Sequence, residues 1–267
     1  MKRHLSYFIA VIMFLAVMLT SYTNEMNITK PMKMTMTTNK SGIVGIGLAG
    51  IGTAVIDWGD KSNPQTITLS DSSVVFHGHV YTSTKVRTIT VSGVKITSLD
   101  CYDNQITSLE VSNNTELIDL SCNDNHLKSL NVSKNKALTF LSCEYNQLTN
   151  LDVSKNKALK HLLCFNNQLM ILDVSNNKWL TYLWCGGNQL KSLDVSKNTI
   201  LERLYCESNQ LSVSALNTLF ETLHDNVIQD VTKTIIIGDN PGTDNCSSNI
   251  AKEKGWLVNI EFDFIEN

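Results

Sequence analysis

The central part of the chain repeats with a period of 21 residues, and this period constrains the fold more than any other feature. Three residue types recur in one fixed register. The recurring positions are Cys101, Cys122, Cys143, Cys164, Cys185 and Cys206, then Leu99, Leu120, Leu141, Leu162, Leu183 and Leu204, then Asn104, Asn125, Asn146, Asn167, Asn188 and Asn209. Such a repeat is typical of a solenoid, because a short unit can bury its apolar face only by stacking on its neighbours.

Each unit contains two halves with related patterns. The half from Leu138 to Asn146 reads L-x-x-L-x-C-x-x-N, and the half from Leu148 to Asn156 reads L-x-x-L-x-V-x-x-N. Neither half has the roughly 10–12 residues of helical periodicity that a helix-backed coil would need. We therefore expect a mainly β solenoid with two short parallel strands in every coil. The Leu and Val columns should point inward, and the Asn columns should satisfy backbone groups at turns.

The first half of the unit matches the leucine-rich-repeat pattern L-x-x-L-x-[LC]-x-x-N-x-L. With its nested units of 21 residues, the segment from about residue 96 to residue 211 resembles the IRREKO type of leucine-rich repeat. That type is common in secreted proteins of Bacteroidetes, and the segment resembles the internalins more distantly. The resemblance implies a secreted leucine-rich-repeat protein.

Residues 1–23 have the features of a secretory signal peptide. Lys2–Arg3 supply a positive start, and the apolar run Tyr7–Leu19 is short for a membrane span. The segment Met18–Tyr22 resembles a bacterial lipobox in which Tyr22 replaces the essential Cys. We expect an exported protein with no transmembrane span in its mature chain, located in the periplasm, on the cell surface or outside the cell.

Residues 24–93 are expected to form a small β-sandwich ahead of the repeats at 94–211. They contain alternating apolar runs separated by Gly, Asp, Ser and Asn turns. The motifs Val55–Asp60 and His79–Tyr81 resemble the D-W-G-D-G and H-x-Y fingerprint of polycystic-kidney-disease-type (PKD-like) domains, with Lys61 in place of the last Gly. The sandwich would serve as an N-terminal cap and spacer.

Residues 212–267 break the period and are expected to form an α/β cap. The patterns predict helices over Ser214–His224 and Cys246–Lys254, and strands over Thr234–Ile237 and Trp256–Phe264. A polar outer surface on this segment would prevent end-to-end stacking of the solenoid.

The chain has none of the motifs of serine hydrolases, zinc proteases, P-loop proteins or dinucleotide-binding enzymes, so we predict no catalytic residue, cofactor or metal site. A formal charge of -3 without a basic run argues against nucleic acid as a partner. Asp152, Asp173 and Asp194 recur once per coil, and we interpret them as a solvated face; a hydrolase would need an acid pair in a cleft. We interpret His77 and His79 as structural residues.

The six Cys residues of the repeat are interpreted as core residues that replace Leu at an inward position. Equivalent side chains in stacked coils lie about one strand spacing apart, which exceeds the Cβ separation of a disulfide. Cys246 lies outside this column, and it is the cysteine whose reactivity is worth testing.

Outward positions of the first strand vary from coil to coil, whereas the Asp-Val-Ser motif of the second half is nearly constant. Every coil has the same structural needs, so this variation indicates a binding surface. The predicted ligand-binding residues are Phe140, His161, Leu163, Phe165, Tyr182, Trp184, Arg203 and Tyr205, and the predicted charged rim is Asp119, Glu144, Arg203 and Glu207. Clustered aromatic residues and arginine are typical of interaction hot spots.

These observations favour a non-enzymatic binding protein that recognises a protein or a glycan through the first-strand face, because aromatic platforms suit both. The alternative is a structural module of the cell envelope or surface without a dedicated ligand.

Overall fold

The computed structural model of the protein describes residues 31–260. The predicted signal peptide, with the lipobox-like site at Tyr22, lies outside the described residues, and so does the last part of the predicted strand Trp256–Phe264. The described segment is mainly β, and its thirteen strands belong to one hydrogen-bonded sheet. Within this segment, no helix is both long enough and apolar enough to cross a membrane.

Six strands form the N-terminal part of the sheet. They are β1 (Met32–Thr38), β2 (Gly42–Asp57), β3 (Gln65–Thr68), β4 (Val75–Tyr81), β5 (Arg87–Asp100) and β6 (Ile106–Glu110). β2 pairs antiparallel with β3, β4 and β5, and β1 lies between β5 and β6. Strand alternation decides what is buried: Met34, Met36 and Thr38 point inward from β1 and are inaccessible to solvent.

The motif residues that resemble a PKD-like domain contact one another. The His79 ring stacks on Trp58 with ring centroids 5.1 Å apart, and its Nε2 lies 2.7 Å from Asp60 Oδ2. The Tyr81 hydroxyl donates a hydrogen bond to the Trp58 carbonyl. These contacts close the turn between β2 and β3 onto β4, which gives both His79 and Asp60 a structural role.

The repeats continue the sheet with short parallel strands. These are β7 (Asp119–Ser121), β8 (Phe140–Ser142), β9 (His161–Leu163), β10 (Tyr182–Trp184) and β11 (Arg203–Tyr205). Each pairs in register with the next, 21 residues further along the chain. β5 pairs in parallel with β7 through Ser98–Asp100, so the domain boundary predicted at residues 93 and 94 falls inside a strand that belongs to both regions.

The structure corrects one expectation: each coil after the first has one strand, not two, because its second half forms turns, whereas the second half of the first coil forms β6, which pairs with β1. In the half from Leu148 to Asn156, the Asn156 N–H donates to the Val153 carbonyl at 3.0 Å. The Leu159 N–H then donates to the Asn156 carbonyl at 3.1 Å. Backbone groups that are paired within their own coil cannot also form a strand ladder with the next coil.

Inward side chains form columns that run the length of the solenoid. The middle residue of every repeat strand is a Leu without solvent exposure, and the six Cys residues of the repeat are equally buried. Because stacked strands lie about 4.8 Å apart, equivalent side chains pack from coil to coil into one continuous apolar core. The prediction of a leucine-rich-repeat solenoid with an inward Cys column is therefore confirmed.

The Asn column that follows the repeat strands is a hydrogen-bonded ladder between coils. Asn167 shows the pattern: its Nδ2 donates to the Cys143 carbonyl of the preceding coil at 3.0 Å and to the Cys164 carbonyl of its own coil at 3.2 Å. Its Oδ1 accepts from the Leu148 N–H at 2.9 Å. The side-chain amide therefore satisfies backbone groups that the turn leaves unpaired.

A second Asn ladder lies in the other half of the coil. Asn156 is representative: its Nδ2 donates to the Val132 carbonyl at 3.0 Å and to the Asn135 carbonyl at 2.8 Å, both in the preceding coil. These two ladders join the coils on both sides of the core, so each coil is held to its neighbours by side chains as well as by the sheet.

The segment after Leu211 extends the sheet and adds helices. Its elements are α1 (Val213–Thr222), β12 (Lys233–Ile236), a 3₁₀ helix (Thr243–Asn245), α2 (Asn249–Glu253) and β13 (Trp256–Asn259). α1 begins at Ser212, whose side chain accepts from the Ala215 N–H, and buries Phe220. β12 and β13 run parallel to β11, and Asn240 continues the first Asn ladder by donating to the Cys206 carbonyl at 3.0 Å.

Candidate binding face

The repeat strands present one outward face. In each of β7–β11 the middle Leu is buried, so the residues on either side of it point away from the core. Because the strands pair in register, these outward residues form columns across the sheet. We use the name aromatic face for the outward side of β8–β11 and the residues that directly follow those strands. Its rings belong to Phe140, Tyr145, His161, Phe165, Tyr182, Trp184 and Tyr205.

The seven rings of the aromatic face form one continuous network. Phe140, His161 and Tyr182 meet edge to face, with centroids 6.1 Å and 6.3 Å apart. Tyr205 connects two columns, since its ring lies 5.3 Å from that of Tyr182 and 5.7 Å from that of Trp184. Edge-to-face and offset geometries are the ones that aromatic pairs prefer. The structure thus brings together the aromatic residues that the variable columns indicate.

Trp184 lies at the centre of this network and is held on two sides. Its ring stacks on Phe165 with centroids 3.9 Å apart, and its Nε1 donates to Glu207 Oε1 at 2.7 Å. Glu207 reaches the indole because Gly186 has no side chain; a Cβ at that position would lie 2.5 Å from Glu207 Oε1. The orientation of Trp184 is therefore set before a partner arrives, which reduces the entropic cost of binding.

Tyr145 belongs to the aromatic face, although it is not among the predicted ligand-binding residues. Its ring lies 5.1 Å from that of Phe165, and the side chain is half exposed. Its backbone has a φ of 50°, a left-handed conformation that disfavours a bulky side chain. Equivalent positions carry turn-forming residues, which are Asp103, Asp124, Asn166, Gly187 and Ser208. A tyrosine in a column of turn-formers was the signal that could have identified it.

The remaining predicted site residues differ in exposure. His161 and Arg203 are exposed, whereas Leu163 is half-buried. The face therefore combines an apolar, partly shielded centre with polar and cationic groups that water reaches. This is the arrangement of core and rim that protein interfaces show.

One predicted rim residue is buried, which corrects the expectation of an exposed acid there. Glu144 is only 8% exposed, and its carboxylate accepts a hydrogen bond from Ser142 Oγ at 2.8 Å. Burial raises the pKa of Glu144, and the nearby Asp124 charge raises it further. Asp119 and Glu207 are half-buried, and burial raises the pKa of both carboxyls. The three carboxylates therefore lie mostly beneath the surface of the aromatic face and do not form an exposed rim around it.

In the variant Glu144→Gln, the free energy of unfolding is expected to fall less between acidic and neutral pH than it does in the wild-type protein. The pKa of Glu144 is raised above the ordinary value of 4.5 in the folded chain, so the folded state holds this proton more tightly. Its stabilising contribution is complete below the unfolded pKa and is lost as pH rises through the folded pKa. Glutamine does not titrate. Urea midpoints measured from acidic to neutral pH should fall less steeply for the variant.

The variant Asp152→Asn supplies a control of opposite sign. The Ser154 N–H donates to the Asp152 carboxylate at 2.9 Å and lowers its pKa, so its contribution is present at neutral pH and is lost as pH falls. Equal pH slopes for wild type and Glu144→Gln would contradict the assignment of a raised pKa to this carboxyl.

The other candidate groups have structural explanations. Asp152, Asp173 and Asp194 each accept a backbone hydrogen bond from the Ser two residues later, at 2.9, 2.9 and 2.8 Å, which is the geometry of an Asx turn. Within the described residues, no three His, Cys, Asp or Glu side chains come together in a way that could hold a metal ion.

The seven cysteines of the chain are all free thiols, and six of them are buried in the core. Burial raises the pKa of these six thiols well above the ordinary range. We expect maleimide treatment of the native protein, followed by intact-mass analysis, to add one label, at the partly exposed Cys246. Unfolded protein should take up labels at all cysteines. Rapid labelling of several thiols in the native protein would show that the Cys column is accessible.

One parallel strand per coil, a continuous Leu core and an Asn ladder together define a leucine-rich-repeat solenoid. No protein-family model and no curated protein matches the chain. Among solved structures, the chain is similar to the functional domain of InlJ from Listeria monocytogenes, which includes a cysteine ladder. The two are 36% identical over 57% of this chain and 32% of that chain, with a TM-score of 0.48.

Two further solved structures show the same kind of likeness. An internalin (inlF) from Listeria monocytogenes is 28% identical over 49% of this chain and 37% of that chain, with a TM-score of 0.42. A leucine-rich-repeat protein from Leptospira interrogans is 22% identical over 57% of this chain and 38% of that chain, with a TM-score of 0.46. The match spans about a third of the length of each of these chains.

Proposed function

We propose that this chain is an exported, non-enzymatic binding protein that recognises a protein partner through the aromatic face. The observation that carries the proposal is the continuous network of seven rings on the outward side of one sheet. Monomeric proteins rarely present large clusters of outward aromatic side chains unless these serve an interaction.

The rigidity of the support favours tight binding. The strands under the face pair in register, and Asn ladders on both sides of the core hold the coils together. Side chains on such a framework lose little freedom when a partner binds. Tryptophan, tyrosine and arginine are the residues that carry most binding energy in protein interfaces, and Trp184, Tyr205 and Arg203 lie on adjacent strands here.

Ring geometry favours a protein over a glycan. A sugar needs an open aromatic face to stack on, but the Trp184 ring is stacked against Phe165 and makes a T-shaped contact with the Tyr205 ring. The centre of the network therefore offers ring edges and a shaped surface more than one flat platform. This surface suits the irregular side chains of a protein partner.

Export is supported by the signal-like residues 1–23. The non-enzymatic assignment is supported by the role of the recurring aspartates, whose carboxylates are used in Asx turns.

The proposal is tested by comparing two triple variants of the purified chain on arrays of extracellular proteins and glycans. Phe140→Ala/Trp184→Ala/Tyr205→Ala truncates the face. Met170→Ala/Ile171→Ala/Trp179→Ala truncates three exposed apolar side chains outside the face and is the matched control. We expect a protein that binds wild type and the control variant to bind the face variant at least about tenfold more weakly, because each hot-spot truncation costs about 1 kcal/mol or more.

Circular dichroism and urea midpoints should first show that both variants fold. A protein ligand that the face variant retains at wild-type affinity would overturn the proposal. Binding confined to the glycan array would change the ligand class. Absence of binding on both arrays would favour the structural module of the cell envelope.

A further inference from the structure

A slot opens in the aromatic face beside Trp184. Its volume is about 330 Å³, and its lining includes Tyr145, Phe165, Asn166, Trp184, Gly187 and Glu207. Two features separate it from the shallow surface between other coils. Rings form one wall, and side-chain oxygens line the rest.

The slot exists because two consecutive glycines interrupt two columns of side chains. The column of Gly186 otherwise carries Tyr, Asn, Glu and Phe, and the column of Gly187 otherwise carries Asp, Tyr, Asn and Ser. A Cβ at Gly187 would lie 2.1 Å from Asn166 Oδ1, and this backbone has a φ of 59°. The glycines thus let the Asn166 and Glu207 side chains lie close against the backbone, and the open space of the slot lies beside these two side chains.

The polar lining of the slot is unbalanced in charge. Within residues 31–260, no Lys, Arg or His lines the slot, whereas Glu207 contributes a carboxylate to its wall. Glu207 Oε1 accepts from the Trp184 indole, but Oε2 is buried and has no hydrogen-bond partner among the described residues. Burial raises the pKa of Glu207, and the neighbouring Asp239 charge raises it further. A cation bound in the slot would lie beside the Glu207 carboxylate and would stabilise its charged form.

The chemistry of the slot matches a guanidinium group. This group is planar, stacks on aromatic rings and directs five N–H donors outward in its plane. Glu207 and Asn166 supply acceptors, and Tyr145, Phe165 and Trp184 supply the aromatic wall. An ammonium group is a compact point charge, and it lacks the planar set of N–H donors that can reach Glu207 and Asn166 together.

We propose that this slot binds an arginine side chain of the partner, held by Glu207, by the Asn166 carbonyl oxygen and by the rings of Tyr145, Phe165 and Trp184. The proposal rests on the proposed function, since it names the chemistry that a protein partner presents to the aromatic face. Arginine would then act as the anchor around which the rest of the interface forms.

The test is a nuclear magnetic resonance titration of the full ¹⁵N-labelled chain. The probes are Nα-acetyl-arginine methylamide and two analogues, in which citrulline or lysine replaces arginine. The readout is the Trp184 indole N–H resonance, which is assigned by its disappearance in Trp184→Phe. We expect saturable shifts with the arginine probe, and affinity about tenfold or more weaker for the neutral citrulline probe, because a charge-assisted hydrogen bond is lost.

Glu207→Gln is the decisive variant. It keeps an oxygen that can accept from the Trp184 indole, removes the charge, and should weaken binding of the arginine probe about tenfold. Glu221→Gln removes the same charge from an exposed position on α1 and should leave the affinity unchanged. Equal affinities for arginine and citrulline, no effect of Glu207→Gln, or tighter binding of the lysine probe would each overturn the proposal.

The outcome is independent of the array experiment. If the face variant loses a protein ligand while the arginine probe fails to bind, the aromatic face is a binding surface and the slot is not its arginine site. If the probe binds as expected while the arrays show no protein ligand, the proposed function fails and the slot remains a guanidinium site.

Discussion

Replacing Asn167 with alanine is expected to lower the free energy of unfolding by about 3 kcal/mol. The Leu148 N–H donates to Asn167 Oδ1 at 2.9 Å and would be left buried without an acceptor. The Cys143 and Cys164 carbonyls would each lose one of two Asn partners, since Asn146 and Asn188 also donate to them. The Leu148 N–H, buried without an acceptor, therefore accounts for most of the lost free energy of unfolding. Urea denaturation followed by circular dichroism measures it.

The matched control is Asn150→Ala, which removes an exposed Asn from the neighbouring coil and should change stability by less than about 0.5 kcal/mol. If the two variants have the same midpoint, the Asn ladder does not contribute to stability in the way proposed.

Gly50→Ala is expected to destabilise the protein by about 4 kcal/mol, since it combines backbone strain with a collision. Gly50 has a φ of 149°, and a Cβ there would lie 2.0 Å from the Lys95 carbonyl oxygen on β5. Flexible side chains can move aside, but this neighbour is backbone in a paired strand. Thermal and urea unfolding should both show the loss.

Gly52→Ala separates the two causes. Gly52 also has a positive φ, of 91°, but a Cβ there would meet no atom of the described chain within 4 Å. Only the conformational cost of about 1–2 kcal/mol remains, so this variant should be clearly more stable than Gly50→Ala. Similar losses in both variants would mean that close approach of β2 to β5 does not limit this position.

Gly50 also lies at a point where the alternating apolar pattern of the sequence does not predict the course of the strand. The sequence predicts two separate apolar runs, Ile43–Leu48 and Thr53–Asp57, with a turn between them. In the structure they are one strand, β2, with shifts of register against β5 on either side of Gly50–Ile51. A glycine that bends a strand and a glycine that ends one look the same in sequence, because the difference depends on what pairs alongside.

The aromatic face was predictable in part. Phe140, Trp184 and Tyr205 are placed by strand alternation and by the period of 21 residues, so their columns follow from the sequence. The burial of Glu144 and the membership of Tyr145 do not follow. Both depend on how side chains of neighbouring coils fill space, which the period does not describe.

The sequence by itself determined the solenoid, its continuous core and the inward Cys column. A residue that recurs every 21 positions must meet the same environment in every coil, so its role can be inferred without coordinates. Only the tertiary structure decided that the second half of each coil after the first forms turns, that β5 joins the N-terminal strands to the repeats, and that a slot opens at Gly186 and Gly187 beside Trp184. These features arise where residues of different coils or strands compete for space and for hydrogen-bond partners, and that competition is resolved only when the chain is packed.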